Sequence, residues 1–271
     1  YVHIKRLSVT TGDLWEAFAQ GGVMIHCIRY GGRDRRYCRV VRDPLEGEII
    51  TFPGNVPLMT VPAVLVVHDW MGLNEYAKRR ARELAGMGYI ALAADIYGKG
   101  IRAKNQNEAA KLAGKYKADR ALLRKRARAG LDFLSSHPLA LKEQLAATGY
   151  CFGGTTVLEL ARSGALLKGV ISFHGGLDTP NISDAKKIRA KVLVMHGADD
   201  PFVAPEEVSA FQKEMRDAKV DWQMLYYGGA VHSFTNPDAG ADSSKGSAYN
   251  RRADERSYEQ MKVFLKSIFG S

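Results

Sequence analysis

From Val61 to the end, the chain alternates short, wholly apolar runs with longer stretches whose apolar positions recur every three or four residues. A short apolar run between turn residues reads as a strand buried on both faces. The longer period reads as a helix covering one side of a sheet. Val61–Val67 is the first such run and Tyr89–Asp95 the second. Between them, Asn74 is placed to cap a helix through Gly86, with Ala77, Ala81, Leu84 and Ala85 on one face. Asn105–Ser136 predicts one or two helices, stopped by His137-Pro138. Further strands are predicted at 145–148, 168–174, 191–196 and 222–227, and helices at 152–163, 205–217 and 248–268. Strands alternating with helices imply a mostly parallel sheet covered on both faces, an α/β fold.

Residues 1–60 are less regular. Arg29–Arg42 is rich in Arg and Gly with no clean period. Val23–Tyr30 and Leu45–Phe52 read as short strands. The expected organisation is an N-terminal segment, 1–60, leading into one catalytic domain, 61–271. A chain of 271 residues, 46% of them hydrophobic, suits a single large α/β domain.

The most informative local feature is Gly149-Tyr150-Cys151-Phe152-Gly153-Gly154, between a predicted strand and a predicted helix. A G-x-nucleophile-x-G at that position is the nucleophile elbow of an α/β-hydrolase fold. It presents Cys151 at a helix N-terminus, where negative charge is favoured. The remaining members of a triad must follow in the order acid, then histidine. Asp199 and Asp200 follow the strand at 191–196, and His232 follows the strand at 222–227. Singly, each has an ordinary explanation: a small buried cysteine, turn chemistry before Pro201, a loop histidine. Together they stand in the required order, each at the carboxyl end of a predicted strand, where open α/β sheets place their sites.

Five segments extend the pattern: Val67-His68-Asp69-Trp70-Met71-Gly72-Leu73-Asn74, Asp95-Ile96-Tyr97-Gly98, the elbow, His196-Gly197-Ala198-Asp199-Asp200, and the run from His232 to Gly240. With them the chain resembles the dienelactone hydrolase family, from Val61 to its C-terminus, and within it environmental esterases of which some accept phosphotriesters. The resemblance implies a cysteine hydrolase with Cys151 as nucleophile, His232 as base and Asp200 as orienting acid. Asp200 is preferred to Asp199 because the family's H-G-x-x-D-x-x-V pattern runs through His196, Gly197, Asp200 and Val203. In well-studied members, a glutamate and two arginines surround the substrate. Here Asp69, Lys99 and Asn236 stand in those places. Without a guanidinium fork, an anionic lactone is poorly held.

On this fold the oxyanion donors are expected from the backbone of Phe152 and Trp70. Tyr97, Phe202 and Phe234, with Trp70 and Phe152, are expected at the pocket mouth as an apolar aromatic wall. Asp69 is a candidate to contact the thiol, and an Asx turn is its ordinary alternative. His68, His174 and His196 each end an apolar run and read as hydrogen-bonded core histidines. No metal-ligand motif and no glycine-rich nucleotide loop is present, so no cofactor is expected.

The formal charge is +10, and residues 102–128 hold ten basic and two acidic side chains. The bland reading is a solvated helix face. The sharper one is a non-enzymatic anion or nucleic-acid binder, although no recognised nucleic-acid motif accompanies it. Three cysteines without close spacing do not form a disulfide framework. A free thiolate suits a reducing compartment, hence the cytoplasm. Because the chain does not open on Met, a secreted or periplasmic origin stays open. No apolar run reaches membrane-span length. The expected function is metal-independent hydrolysis of small activated esters or lactones, or of aryl phosphotriesters, by a monomer or homodimer.

Overall fold

A computed structural model of the chain describes residues 60–270 in full and, before them, the backbone of three strands. These are β1 (Ala17–Ala19), β2 (Gly22–Tyr30) and β3 (Arg35–Val40). The strand expected at Val23–Tyr30 is β2. The one expected at Leu45–Phe52 lies outside the described residues.

Six strands run parallel: β4 (Val61–Val67), β5 (Ile90–Ala94), β6 (Ala140–Tyr150), β7 (Gly169–Phe173), β8 (Lys191–Gly197) and β9 (Trp222–Tyr227). Their order is β5-β4-β6-β7-β8-β9, and β2 joins the outer side of β5 antiparallel. The N-terminal strands therefore belong to the same sheet. The helices are α1 (Glu75–Gly86), α2 (Gln106–Ala118), α3 (Arg120–Ser136), α4 (Phe152–Arg162), α5 (Pro205–Asp217) and α6 (Arg251–Phe269).

The apolar runs behave as doubly buried strands should. Along β4, Ala63, Leu65 and Val67 enter one core with residues of α3, α4 and α5. Val64 and Val66 enter the other with residues of α1 and α6. The alternation follows from the two-residue period of a strand. Chain order sets the position of the crevice. From central β4 the chain goes to β5 on one side and later to β6 on the other, which opens a switch point beyond the carboxyl ends of β4 and β6.

Two boundaries differ from the sequence pattern, and an open choice is resolved. Strand β6 begins at Ala140 rather than 145, because Ala140 already pairs with Val61, ahead of an irregularity that holds the polar residues before Leu145. The 105–136 stretch is two helices, broken at Asp119, which ends α2 and caps α3 by accepting the Leu122 N–H. The last helix begins at Arg251, where Asn250 accepts the Ala253 N–H.

In the basic 102–128 stretch all five lysines are exposed, as a solvated helix face requires, while four of the arginines bond to the protein. Arg102 donates to the Leu73 carbonyl and Arg126 to that of Ile96. Arg120 pairs with Asp178, and Arg124 pairs with Glu159 and Asp184. The same network reaches Arg162, which is fully buried at the end of α4. Its guanidinium binds Glu159, forks onto both oxygens of Glu214, and donates to the Leu177 carbonyl. It ties α4 to α5. Among the described residues, no helix is long and apolar enough to cross a membrane.

Removing one side of a buried, multiply bonded ion pair strands the charge that remains. Arg162→Met leaves Glu159 and Glu214 facing each other in the core. It is expected to lower unfolding free energy by about 3–5 kcal/mol, read from urea denaturation. A loss under 1 kcal/mol would show that the network is dispensable.

Candidate active site

Cys151 sits between β6 and α4 with φ 54° and ψ −116°, outside the regions that L residues favour. The turn fits because the residues two before and two after Cys151 are glycines. A Cβ on Gly149 would lie 2.0 Å from the Gly153 carbonyl oxygen, and one on Gly153 would lie 2.3 Å from that of Val67. The start of α4 thus rests directly on the end of β4. The Cys151 N–H is shared between the Phe173 carbonyl, at 3.0 Å, and His174 Nδ1, at 3.2 Å.

Cys151, His232 and Asp200 are brought together in line. Cys151 Sγ lies 3.1 Å from His232 Nε2, and His232 Nδ1 donates to Asp200 Oδ2 at 2.8 Å. The other Asp200 oxygen accepts the Phe202 N–H at 2.9 Å, which fixes the carboxylate. Asp199 faces away, accepting the Gly229 N–H at 3.0 Å. The histidine loop is clamped from both sides, with His232 N–H donating to the Gly246 carbonyl and Ala248 N–H to that of His232. Burial disfavours a charged His232, yet the adjoining Cys151 sulfur and Asp200 carboxylate outweigh it and push its pKa up to about 10.

His174 lies behind this line, fully enclosed, with its ring edge-on to His232 at 5.4 Å. Its Nδ1 accepts from Cys151, so Nε2 carries the proton and donates to Thr235 Oγ1 at 2.7 Å. Thr235 in turn meets the Tyr76 hydroxyl, and its carbonyl takes an Arg80 N–H at 2.8 Å. Burial, with positive His232 nearby, holds His174 well below its ordinary pKa and keeps it neutral. The sequence marked His174 as a core histidine. It does not show that this histidine joins the nucleophile's own N–H to the histidine loop. The only trace is its position directly after a buried strand.

The remaining candidates are dispersed around the crevice. Trp70 is half-buried, and among the described residues neither its N–H nor that of Phe152 is engaged by a protein acceptor. Tyr97 is buried and donates to the Trp70 carbonyl at 3.0 Å. Burial, with Cys151 and Asp69 close by, raises its pKa. Asp69 is buried, and its carboxylate takes the Met71 N–H and the Asn74 amide rather than the thiol. That is the Asx-turn geometry, and burial raises its pKa. Phe202 is 60% exposed, with its ring edge-on to His232 at 5.5 Å. Lys99 is exposed.

Three expectations about the pocket mouth are corrected. Phe152 and Tyr97 pack in the core instead of lining the mouth. Phe234 does not reach it either: Ser233 takes a positive φ of 58°, and Phe234 is completely buried against His174 and Tyr227. Asn236 is half-buried, and its side-chain oxygen accepts the Asp238 N–H and caps a short 3-10 turn.

A parallel sheet with a strained cysteine turn beyond its central strands, followed by loops carrying an aspartate and a histidine, is the α/β-hydrolase fold. The dienelactone hydrolase family model matches residues 49–269, and the chain belongs to that family. It is a hydrolase acting on ester bonds. A dienelactone hydrolase-like promiscuous phosphotriesterase from metagenomic libraries is 38% identical. The match covers 96% of this chain and 95% of that one, with a TM-score of 0.77. A "Probable 2-oxo-3-(5-oxofuran-2-ylidene)propanoate lactonase" of Bradyrhizobium sp is 30% identical over 190 residues, 66% of this chain and 76% of the relative. An alpha/beta hydrolase from a Medee basin deep-sea metagenome library shares the fold. It is 14% identical with a TM-score of 0.59, over 96% of this chain and 98% of that one.

The charge on His232 depends on its neighbours. Its imidazole NMR signal is expected to stay protonated from neutral pH until the pH rises through about 10. In Cys151→Ala the sulfur's contribution is gone while burial still opposes the charge, so the midpoint must fall. An unchanged midpoint would show that Cys151 carries no negative charge beside the ring.

Proposed function

We propose that the chain is a metal-independent cysteine hydrolase for small, neutral, activated esters and lactones, working through a thioester on Cys151. The observation that carries this reading is the unbroken line from Cys151 Sγ through His232 to Asp200, at 3.1 and 2.8 Å. In the first step the thiolate attacks the ester carbonyl carbon. The carbonyl oxygen becomes negative and is met by the Phe152 and Trp70 N–H groups. The C–O bond then breaks, and the departing alkoxide takes the proton from His232. In the second step neutral His232 takes a proton from water, and the resulting hydroxide attacks the thioester. The C–S bond breaks, the acid leaves, and the thiolate faces an imidazolium again. Asp200 holds the ring in the tautomer this needs and stabilises its charge.

The preference for neutral substrates follows from the walls. Phe202 and Trp70 present apolar surface. Lys99 is exposed and Asn236 is committed to its turn, so neither offers the paired donors that grip a carboxylate. Asp69 adds a buried acid to the same wall. A second reading keeps the site and changes the electrophile. The metagenomic relative is a promiscuous phosphotriesterase at 38% identity over nearly the whole chain. Cys151 would attack phosphorus, expel an aryloxide protonated by His232, and be freed by water attacking the phosphorus–sulfur bond.

Wild type and Cys151→Ala are to be compared on p-nitrophenyl acetate, a neutral lactone and an aryl phosphotriester, with circular dichroism confirming the fold. The variant is expected to lose turnover of every substrate the wild type accepts. Retention of a tenth or more of an activity would remove Cys151 from that reaction. Chelator is expected to leave the wild-type rates unchanged, and a loss restored by zinc or manganese would contradict a metal-independent mechanism.

Asp200→Asn keeps the shape of the acid but loses its charge and disturbs the imidazole tautomer. It should cost about two to four orders of magnitude in turnover, while Asp199→Asn costs little. The reverse ranking would assign the acid to Asp199.

A further inference from the structure

The peptide unit between Asp69 and Trp70 carries one of the two N–H groups assigned to the oxyanion, and it is gripped from its other side. In a trans peptide the C=O and N–H point in opposite directions. Whatever fixes the Asp69 carbonyl therefore aims the Trp70 N–H. That carbonyl receives His68 Nδ1 at 2.6 Å and, more weakly, the Gly72 N–H at 3.3 Å.

His68 is fully buried, and its proton can be located. Nε2 accepts the Ile96 N–H at 3.1 Å, so it carries no hydrogen. The hydrogen of the neutral ring is on Nδ1, where it donates to Asp69. The ring cannot turn, since Tyr97 meets it edge-on at 4.8 Å and Phe152 stacks on it at 5.9 Å. Phe152 is also the residue that supplies the second oxyanion donor. Burial pushes the His68 pKa down to about 4, with the Asp69 carbonyl opposing. Between about pH 4 and 10 the His68 ring is therefore neutral while His232 is charged.

We propose that His68 is a positioning residue for the oxyanion hole, its Nδ1–H aiming the Trp70 N–H and polarising the peptide that bears it. The proposal rests on the reading of Cys151 as nucleophile. A donor on the carbonyl strengthens the N–H of the same peptide as a donor in turn. Ile96, just past β5, fixes the His68 tautomer, so the edge of one strand sets the electrostatics at the end of the next.

Two substitutions separate the bonds. In His68→Asn the amide nitrogen falls near the Nδ1 position and keeps the donor to Asp69, while the Ile96 contact is lost. In His68→Gln the amide falls near the Nε2 position, where it accepts from Ile96, and the donor to Asp69 is lost. Turnover of p-nitrophenyl acetate is expected to stay near wild type in His68→Asn. In His68→Gln, kcat should fall about ten- to a hundred-fold at little changed KM, short of the loss of a whole oxyanion donor.

Alkylation of Cys151 by iodoacetamide develops no oxyanion, so its rate, mapped to the Cys151 peptide by mass spectrometry, should match wild type in both variants. Inhibition by a trifluoromethyl ketone, whose thiol adduct places a negative oxygen in the hole, should weaken only in His68→Gln. Equal kcat in the two variants, or the reverse ranking, would overturn the proposal. So would alkylation falling in step with turnover, because His68 would then act on the nucleophile or the fold. Undiminished turnover by wild type after complete alkylation of Cys151 would overturn the nucleophile reading itself, and the proposal with it.

Discussion

The site depends on one close approach, that of the α4 backbone to the end of β4. Gly153 lies so near the Val67 and His68 carbonyls that no side chain fits between them. That contact sets the Cys151 turn against the end of β4 and the start of the loop carrying Trp70, where the proposed reaction needs its two backbone donors. It also leaves the sulfur at the N-terminal end of α4. The strained backbone of Cys151 is sustained by what surrounds it: a shared hydrogen bond on its N–H, and an α4 whose far end is locked by Arg162 in the core. Strain held in this way is a common feature of reactive turns.

Three histidines around the crevice show how environment assigns protonation. His232 faces a sulfur and a carboxylate, and they hold its proton to about pH 10. His174, with its edge toward His232, is buried among neutral partners and stays neutral. Were it charged, it would oppose the imidazolium beside it. His68 is likewise neutral, and both of its nitrogens serve backbone groups. One ring bridges a sulfur and a carboxylate, as the proposed proton transfer needs, and two rings bond backbone groups.

The sequence displayed what depends on spacing. The elbow could be read because the glycines are sterically compulsory. Strands β4, β5, β7 and β8 could be read because double burial leaves almost no polar residue in them. The preference for Asp200 over Asp199 came from the family resemblance, and in the structure Asp200 meets His232 while Asp199 accepts the Gly229 N–H. Other features carry no such trace. A histidine bonded to a backbone N–H looks the same in sequence as one packed for bulk, so the tasks of His68 and His174 were invisible. Phe234 read as a pocket aromatic because nothing in His232-Ser233-Phe234 announces a positive φ at a serine. The ion pairs of Arg120 and Arg124 inside the basic stretch left no trace because their acids, Asp178, Glu159 and Asp184, are distant in sequence.

The central claim is that Cys151 becomes covalently acylated during turnover. It is tested most directly by acid-quenching the enzyme within the first turnover of a p-nitrophenyl ester and weighing its peptides. The account predicts the mass of one acyl group on the peptide containing Cys151, labile to hydroxylamine as a thioester is, and absent from Cys151→Ala. Acylation of another residue during productive turnover, or a rapid release of p-nitrophenol with Cys151 unmodified, would contradict it.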